Sequence, residues 1–379
     1  MKEGWTYKKI KEVCTSITDG DWIEKKDQSQ SGIRLIQTGN IGVGEFIPKD
    51  DSHRYISEDT FNRLKCTEIF EGDILISRLP NPLGRSCILP KLDTKCITAV
   101  DCSILRTKSD ELLPKFFVYY TQSQGYFSKI NAESSGTTRA RITRKKLEET
   151  TIPTPSISVQ QRIVERLDSA FENIDKLKAN AEKQLAEART LFQKSLAKAM
   201  EPKEGWEEMK LGEFAFMKAG VFVKASDIHK EFSEGLYPCY GGNGLRGYVK
   251  EPNQEGDYCL IGRQGALCGC INRASGVFRT TEHAVIVKPY KEIPTSLVYY
   301  LLTQLNLNKY ATGAAQPGLS VNNIAEVVRI SIPPAKDYQR IAERLDSLSE
   351  NVRKYEKIQR QIISECDALK QALLRKVFE

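Results

Sequence analysis

Two stretches dominate the hydrophobic pattern of the chain. Between 158 and 200, apolar residues recur at alternating steps of four and three: Ile163, Leu167, Ala170, Ile174, Leu177, Ala181, Ala188 and Leu191. Gln184 interrupts this stripe, and Leu185, Phe192 and Leu196 carry it one position over. Between 336 and 378, Ile341, Leu345, Leu348, Val352, Tyr355, Ile362, Cys366, Leu369 and Leu373 keep the same spacing, with Gln359 as the break. Steps of four and three make a seven-residue repeat, the seam of a coiled coil. Neither stretch contains Pro or Gly, so each supports a helix of about 43 residues, roughly 65 Å at 1.5 Å per residue. A helix packed only on its own domain averages far fewer residues. Two of matched length are expected to pair with each other, and antiparallel, because a further domain lies between them.

Short β-branched runs separated by Gly, Asn, Pro and Asp precede each long helix. In the first half they are 33–42, 73–78 and 96–107, followed by a helical pattern over 113–130. In the second they are 237–249, 257–263 and 278–289, followed by a helix over 293–310. The halves also share markers. Gly4-Trp5, Lys9, Ile10 and Glu12 return as Gly205-Trp206, Lys210, Leu211 and Glu213. RIVERLDS at 162–169 returns as RIAERLDS at 340–347. The offset between copies differs at the front and rear markers, so the segment between them varies in length. This is a duplicated half-protein rather than a solenoid of short repeats. The expected architecture is α+β: two pseudo-symmetric α/β domains joined by a long antiparallel two-helix coiled coil.

Composition narrows the picture modestly. No run of about 18 apolar residues exists, and the N-terminus has no apolar signal core, so a cytoplasmic protein without a membrane span is expected. The ten cysteines follow no framework and read as reduced thiols. A net charge of +7 favours a polyanionic partner without proving one.

Motifs for chemistry fail on context. Gly242-Asn243-Gly244-Leu245-Arg246-Gly247 matches GxGxxG, but a dinucleotide site needs that loop to open a helix, and a turn between strands is expected instead. Ser195–Lys198 is an SxxK on the helical stretch, where no pocket is expected. Asn81-Pro82-Leu83-Gly84 lacks the second Pro and the aromatic residue of an adenine methyltransferase loop. Cys268-Gly269-Cys270 with Cys259, Cys239 and His283 lacks the usual CxxC spacing of structural zinc, so no metal is expected. His53 and His229 have no neighbours that suggest acid–base work. The chain reads as non-catalytic.

The order of parts resembles the specificity subunit of Type I restriction-modification enzymes. The EGW openings, the Pro-containing lead-ins at 152–163 and 330–341, and the QRIVERLD/QRIAERLD helix starts carry the resemblance over essentially the whole chain. It implies target recognition domains at 1–154 and 202–332, with spacer helices at 155–201 and 333–379. It implies that each domain reads one half of a split double-stranded DNA sequence, while the paired helices set the spacing and dock two methyltransferase subunits. Nuclease-translocase subunits join for cleavage. No cofactor is expected on this chain; S-adenosylmethionine would sit on the adenine methyltransferase partner. Two major-groove readers on one DNA face lie about 34–36 Å apart, within reach of the paired helices. The halves share little sequence between markers, so two unlike half-sites are expected. The rival readings are a coiled-coil scaffold with protein-binding ends and a self-sufficient methyltransferase or nuclease; the latter needs cofactor and catalytic loops that are not found.

Candidate DNA contacts are polar and basic residues in turns. Arg139, Arg141, Arg144, Lys145 and Lys146 form a cationic cluster before the first long helix, suited to phosphate. A solvated face docked against the helix base is the alternative reading of that cluster. Base-reading candidates are Arg34, Gln37, Arg78 and Arg85 in the first half, and Asn243, Arg246, Arg263 and Gln264 in the second. Arg suits guanine, and Asn or Gln suits adenine.

Overall fold

The computed structural model describes residues 4–135, 140–265, 267–313 and 317–379. It gathers the chain into two compact units, Met1–Ala181 with Gln361–Glu379, and Glu182–Arg360.

In the first unit the EGW opening leads into a strand, Thr6–Lys9, which pairs antiparallel with Thr151–Thr154 just before the first long helix. An antiparallel sheet follows in the order Cys14–Asp19, Cys102–Thr107, Ile74–Ser77 and Ser86–Ile88. A second, mixed sheet contains Ile33–Ile36 parallel to Cys96–Thr98. The second unit repeats this plan. Glu207–Lys210 pairs antiparallel with Arg329–Ile332, and the sheet order is Ala215–Ala219, Ala284–Pro289, Tyr258–Gly262 and Ile271–Ala274. Tyr237–Gly241 runs parallel to Val277–Thr280.

Four segments read as single elements are broken in the structure. The run 96–107 is two strands, Cys96–Thr98 and Cys102–Thr107, and 278–289 is likewise Val277–Thr280 and Ala284–Pro289. In each case the chain leaves one sheet for another. The helical pattern over 113–130 divides into Pro114–Tyr120 and Gln124–Ala132. Ser123, whose hydroxyl accepts from the Tyr126 amide, restarts the helix. The stretch 293–310 becomes Thr295–Gln304 and a short turn of helix at Leu307–Tyr310.

The helices run unbroken over Ile157–Ala199 and Tyr338–Phe378. Within the first unit, Lys370 pairs with Asp175 at 2.5 Å and Lys178 with Asp367 at 2.7 Å. The numbering rises on one helix and falls on the other, so the two are antiparallel. In the second unit Arg189 pairs with Glu356 at 2.7 Å. Further along, Leu196 and Met200 share a core with Leu345, Ala342 and Tyr338, giving the same direction.

The seam differs from the expected one. Leu177 is 51% exposed and Leu369 is 48% exposed, so neither lies in it. On the first helix Leu167, Phe171, Ile174 and Ala181 are buried, with Lys178 completing the step of four. On the second, Leu345, Gln359 and Cys366 are buried, and Val352, Glu356, Ile362 and Lys370 are half-buried. The residue taken as a break, Gln359, is a seam member. Ile163 and Leu167 pack into the first unit's globular core, while Ile341 and Leu345 pack into the second unit's.

The end of the second helix also completes the first unit. Leu374 and Phe378 join the core of Phe116, Phe117, Tyr120 and Tyr126. The Phe378 ring lies 5.4 Å from that of Phe116 and 6.4 Å from that of Trp5, edge to face. This contact gives the first EGW marker its packing role.

Candidate nucleic-acid interface

The loops at one edge of each unit follow a common frame that the side chains do not reveal. In the first unit Gly20 donates to the Cys102 carbonyl, Asp21 to Thr98, Ala99 to Ile36 and Arg78 to Asp101. In the second, Gly220 donates to Ala284, Val221 to Thr280, Thr281 to Tyr240 and Arg263 to His283. Arg78 thus stands where Arg263 does, and Asp101 where His283 does. Glycine is required at the first position because a Cβ on Gly20 would lie 2.4 Å from the Thr98 carbonyl oxygen, and one on Gly220 would lie 2.2 Å from that of Thr280.

The loop after the third strand of the sheet order is matched as well. Ser77 donates to the Arg85 carbonyl and Gly84 to Ser77; Gly262 donates to Cys270 and Gly269 to Gly262. The segments 79–85 and 264–270 are therefore equal in length and closed by the same two hydrogen bonds, with Arg85 and Cys270 at the same position.

This frame sorts the residues expected to touch DNA. Arg85 is 8% exposed, and its guanidinium is engaged inside the protein. Its Nε donates to the Ile41 carbonyl at 2.6 Å and its Nη2 to Thr38 at 2.7 Å. Its Nη1 donates to Leu79, Pro80 and Pro82 at 3.0–3.1 Å. Arg78 is buried, donates to the Val100 carbonyl and lies 3.5 Å from Asp19. Arg34 is buried and donates to the Pro48 carbonyl. Burial pushes the Arg78 and Arg85 guanidinium groups below the ordinary arginine range. Arg34 and Arg78 each give one guanidinium nitrogen to a carbonyl, while the Nε of Arg78 has no hydrogen-bond partner. Base reading by Arg85 is corrected: all three of its guanidinium nitrogens donate to main-chain carbonyls, and it holds the loops in place. The sequence missed this because a turn arginine looks the same whether it faces a base or a carbonyl.

Other candidates stay at the surface. Arg141 is exposed and pairs with Asp101 at 2.8 Å; Arg144 is exposed and pairs with Glu148 at 3.1 Å. Lys145 is exposed, and Lys146 donates to the Glu133 carbonyl. Gln37 is half-buried. Arg139 lies outside the described residues. In the second unit Asn243, Arg246 and Gln264 are exposed, whereas Arg263 is half-buried and donates to Leu319. The GxGxxG match is the tip of a hairpin between Tyr237–Gly241 and Gly244–Val249. Asn243, Arg246, Gln264 and His283 line one recess of about 390 Å³.

The duplicated markers make matching contacts in the two units, and those of the repeated RLDS join the globular part to its long helix. Asp168, from the repeated RLDS, accepts from the Tyr119 hydroxyl at 2.5 Å and from Lys115 at 2.8 Å. Its copy Asp346 accepts from the Tyr300 hydroxyl at 2.9 Å and from Arg273 at 3.1 Å. Lys9 pairs with Glu149 at 2.6 Å, and its copy Lys210 pairs with Glu326 at 2.8 Å. Lys11 and Lys9 hold the Glu149 carboxyl down at about 2.

Burial pushes the thiols of Cys14, Cys87, Cys102 and Cys259 up to about 12. Cys268 and Cys270 donate to the Arg263 and Gly242 carbonyls. Among the described residues no group of three or more His, Cys, Asp or Glu side chains is arranged to hold a metal, and no helix is long and apolar enough to cross a membrane.

Known proteins share this organisation. The family model of the Type I restriction modification DNA specificity domain matches residues 2–187 and 203–363. The specificity subunit of the EcoprrI type I restriction enzyme of Escherichia coli is 45% identical over 137 residues, a match that spans 36% of this chain but only 34% of that subunit. The EcoKI specificity subunit of Escherichia coli K12 is 23% identical over 100% of this chain and 89% of its own length. A chain solved in work on assembly and conformational transition of the type I R-M system superposes with a TM-score of 0.80 at 20% identity, covering 100% of this chain and 98% of that one. The HsdS subunit of Thermoanaerobacter tengcongensis gives 0.58 at 18% identity, covering 100% and 97%. With the family match covering most of both units and reaching into both long helices, the chain belongs to the type I restriction-modification DNA specificity family.

Proposed function

We propose that the chain is the non-catalytic, sequence-reading subunit of a type I restriction-modification complex. Its recognition domains, 1–154 and 202–332, each read one half of an asymmetric bipartite target in double-stranded DNA. The observation that carries this reading is the pair of units built on one loop frame whose exposed side chains differ: Arg141, Arg144 and Lys145 in one, with Gln37 half-buried, and Asn243, Arg246 and Gln264 in the other. One scaffold with two sets of surface polar groups suits two unlike half-sites, because base edges are told apart by donor and acceptor pattern.

The paired helices set the spacer between half-sites and dock two methyltransferase subunits, with nuclease-translocase subunits joining for cleavage. Exposed Leu177 and Leu369 in the first unit, and Leu191, Tyr355 and Ile358 in the second, offer apolar side chains to such partners. The partner methylates adenine and holds S-adenosylmethionine; this chain supplies address, not chemistry. Purified with its methyltransferase subunits, the chain should shift one bipartite duplex in a gel at concentrations where random duplex stays free. Equal binding to all duplexes overturns the reading and favours a scaffold with protein-binding ends.

A further inference from the structure

The matched loop frame exposes a difference between the units. In the first, the Arg85 side chain fills the space between the loop that starts at Thr38 and the loop 79–85, reaching carbonyl groups on both. The equivalent residue in the second unit is Cys270. Its thiol reaches one acceptor, the Gly242 carbonyl, at 2.9 Å. Between the equivalent loops of the second unit, residues 242–246, Gln264 and Gly265 line a recess of about 390 Å³, and the Cys270 thiol, which does not line it, stands behind its Gly242 wall.

The recess has unmet hydrogen-bonding capacity. His283 lines it, with Nδ1 buried and unpartnered and Nε2 3.0 Å from a Glu282 carboxylate oxygen. Thr281 is fully buried, and its hydroxyl is also unpartnered; a Cβ on Gly241, which lines the recess, would lie 3.7 Å from it. Buried polar atoms are rarely left unpaired unless a ligand or water completes them. Asn243, Arg246 and Gln264 stand exposed around the same opening. An amide pairs two-fold with the major-groove edge of adenine and a guanidinium with that of guanine, while a histidine ring nitrogen donates or accepts according to tautomer.

We propose that this recess is the base-reading site of the second unit, where Asn243, Arg246, Gln264 and His283 contact purine edges of one half-site, and that the first unit, its recess filled by Arg85, has no equivalent. This rests on the proposed DNA-reading function and assigns part of it to named residues. His283 is the member that sequence spacing did not suggest for DNA contact, because it belongs to the site only through the turn that separates two strands.

The test uses the full chain assembled with its methyltransferase subunits and a duplex library randomised at each half-site in turn. N243A, Q264A and H283A should each relax discrimination at one or two positions of the second half-site by about 5- to 150-fold, while leaving the first half-site unchanged. C270R, which puts the first unit's arginine against the Gly242 wall of the recess, should weaken selection across the second half-site only. Asn243 and Gln264 are exposed, so their variants decide the matter even if H283A or C270R fails to assemble. Wild-type selection at the second half-site by both N243A and Q264A overturns the proposal. Absence of any preferred sequence with the unmodified chain instead overturns the proposed function itself.

Discussion

Replacing Arg85 with methionine separates a loop-holding arginine from a base-reading one. Methionine retains much of the apolar stem but removes every donor, leaving carbonyl groups of Thr38, Ile41, Leu79, Pro80 and Pro82 without their guanidinium partner. Hydrogen bonds to a charged group contribute about 1.5–3 kcal/mol each, and they are not additive when they share one group. Leu79, Pro80 and Pro82 lie in a loop that water can reach, so their carbonyls recover hydration. Ile41 is 1% exposed and has less access to water. A loss of about 3–5 kcal/mol follows, mainly from the Thr38 and Ile41 carbonyls at about 1–3 kcal/mol for each buried acceptor left unsatisfied. For a unit of this size that corresponds to a fall of roughly 6–20 °C in unfolding temperature. Urea unfolding followed by near-ultraviolet circular dichroism would measure it, with C270S as the second-unit control expected to cost under about 1 kcal/mol. A stability of R85M within about 0.5 kcal/mol of the parent, together with altered base preference, would refute the assignment and return Arg85 to the DNA.

Three further outcomes are expected. Joint replacement of Arg141, Arg144 and Lys145 by alanine should weaken binding to all duplexes alike and reduce the slope of log affinity against log salt by up to about 3, at roughly 0.9 per lost phosphate contact; an unchanged slope would assign the cluster to a solvated face. F378A should destabilise the first unit by about 3–5 kcal/mol, measured by urea unfolding, because the ring is 8% exposed among Trp5, Phe116 and Tyr120. Burial pushes the Asp346 carboxyl up, but hydrogen bonds from Ser296, Arg273 and Tyr300 outweigh it and hold the group below the usual aspartate range. Its contribution is therefore present above the unfolded pKa near ~4 and lost as pH falls through the lower folded value. With the side chain 42% exposed, D346N should cost less than about 1 kcal/mol at neutral pH, and the difference from the parent should vanish in acid.

Asp346 and its copy Asp168 show how duplication becomes legible. The repeated RLDS marked a shared role before any contact was known, and that role is the bond from helix to globular part in both units. Local periodicity sufficed for two uninterrupted helices, because a run free of Pro and Gly with apolar steps of three and four has few other stable conformations. It did not settle which stripe faces inward. Leu177 and Leu369 fit an apolar-only seam, yet Lys178, Gln359 and Lys370 occupy inward positions. Lys178 and Lys370 place their ammonium groups beside carboxylates of the opposite helix. A long polar side chain can cover apolar surface with its stem while its head finds a partner, and that depends on what the other helix presents.

The same division runs through the recognition loops. Strand-like runs, the hairpin around Asn243 and the two-fold plan follow from spacing and turn residues alone, since these reflect chain stereochemistry within a few positions. Whether an arginine holds its own loop, as Arg85 does, or stands free at the rim, as Arg246 does, depends on which carbonyls distant segments bring within reach. No local pattern encodes that, because the donors of a guanidinium are satisfied by segments that meet only when the sheets assemble.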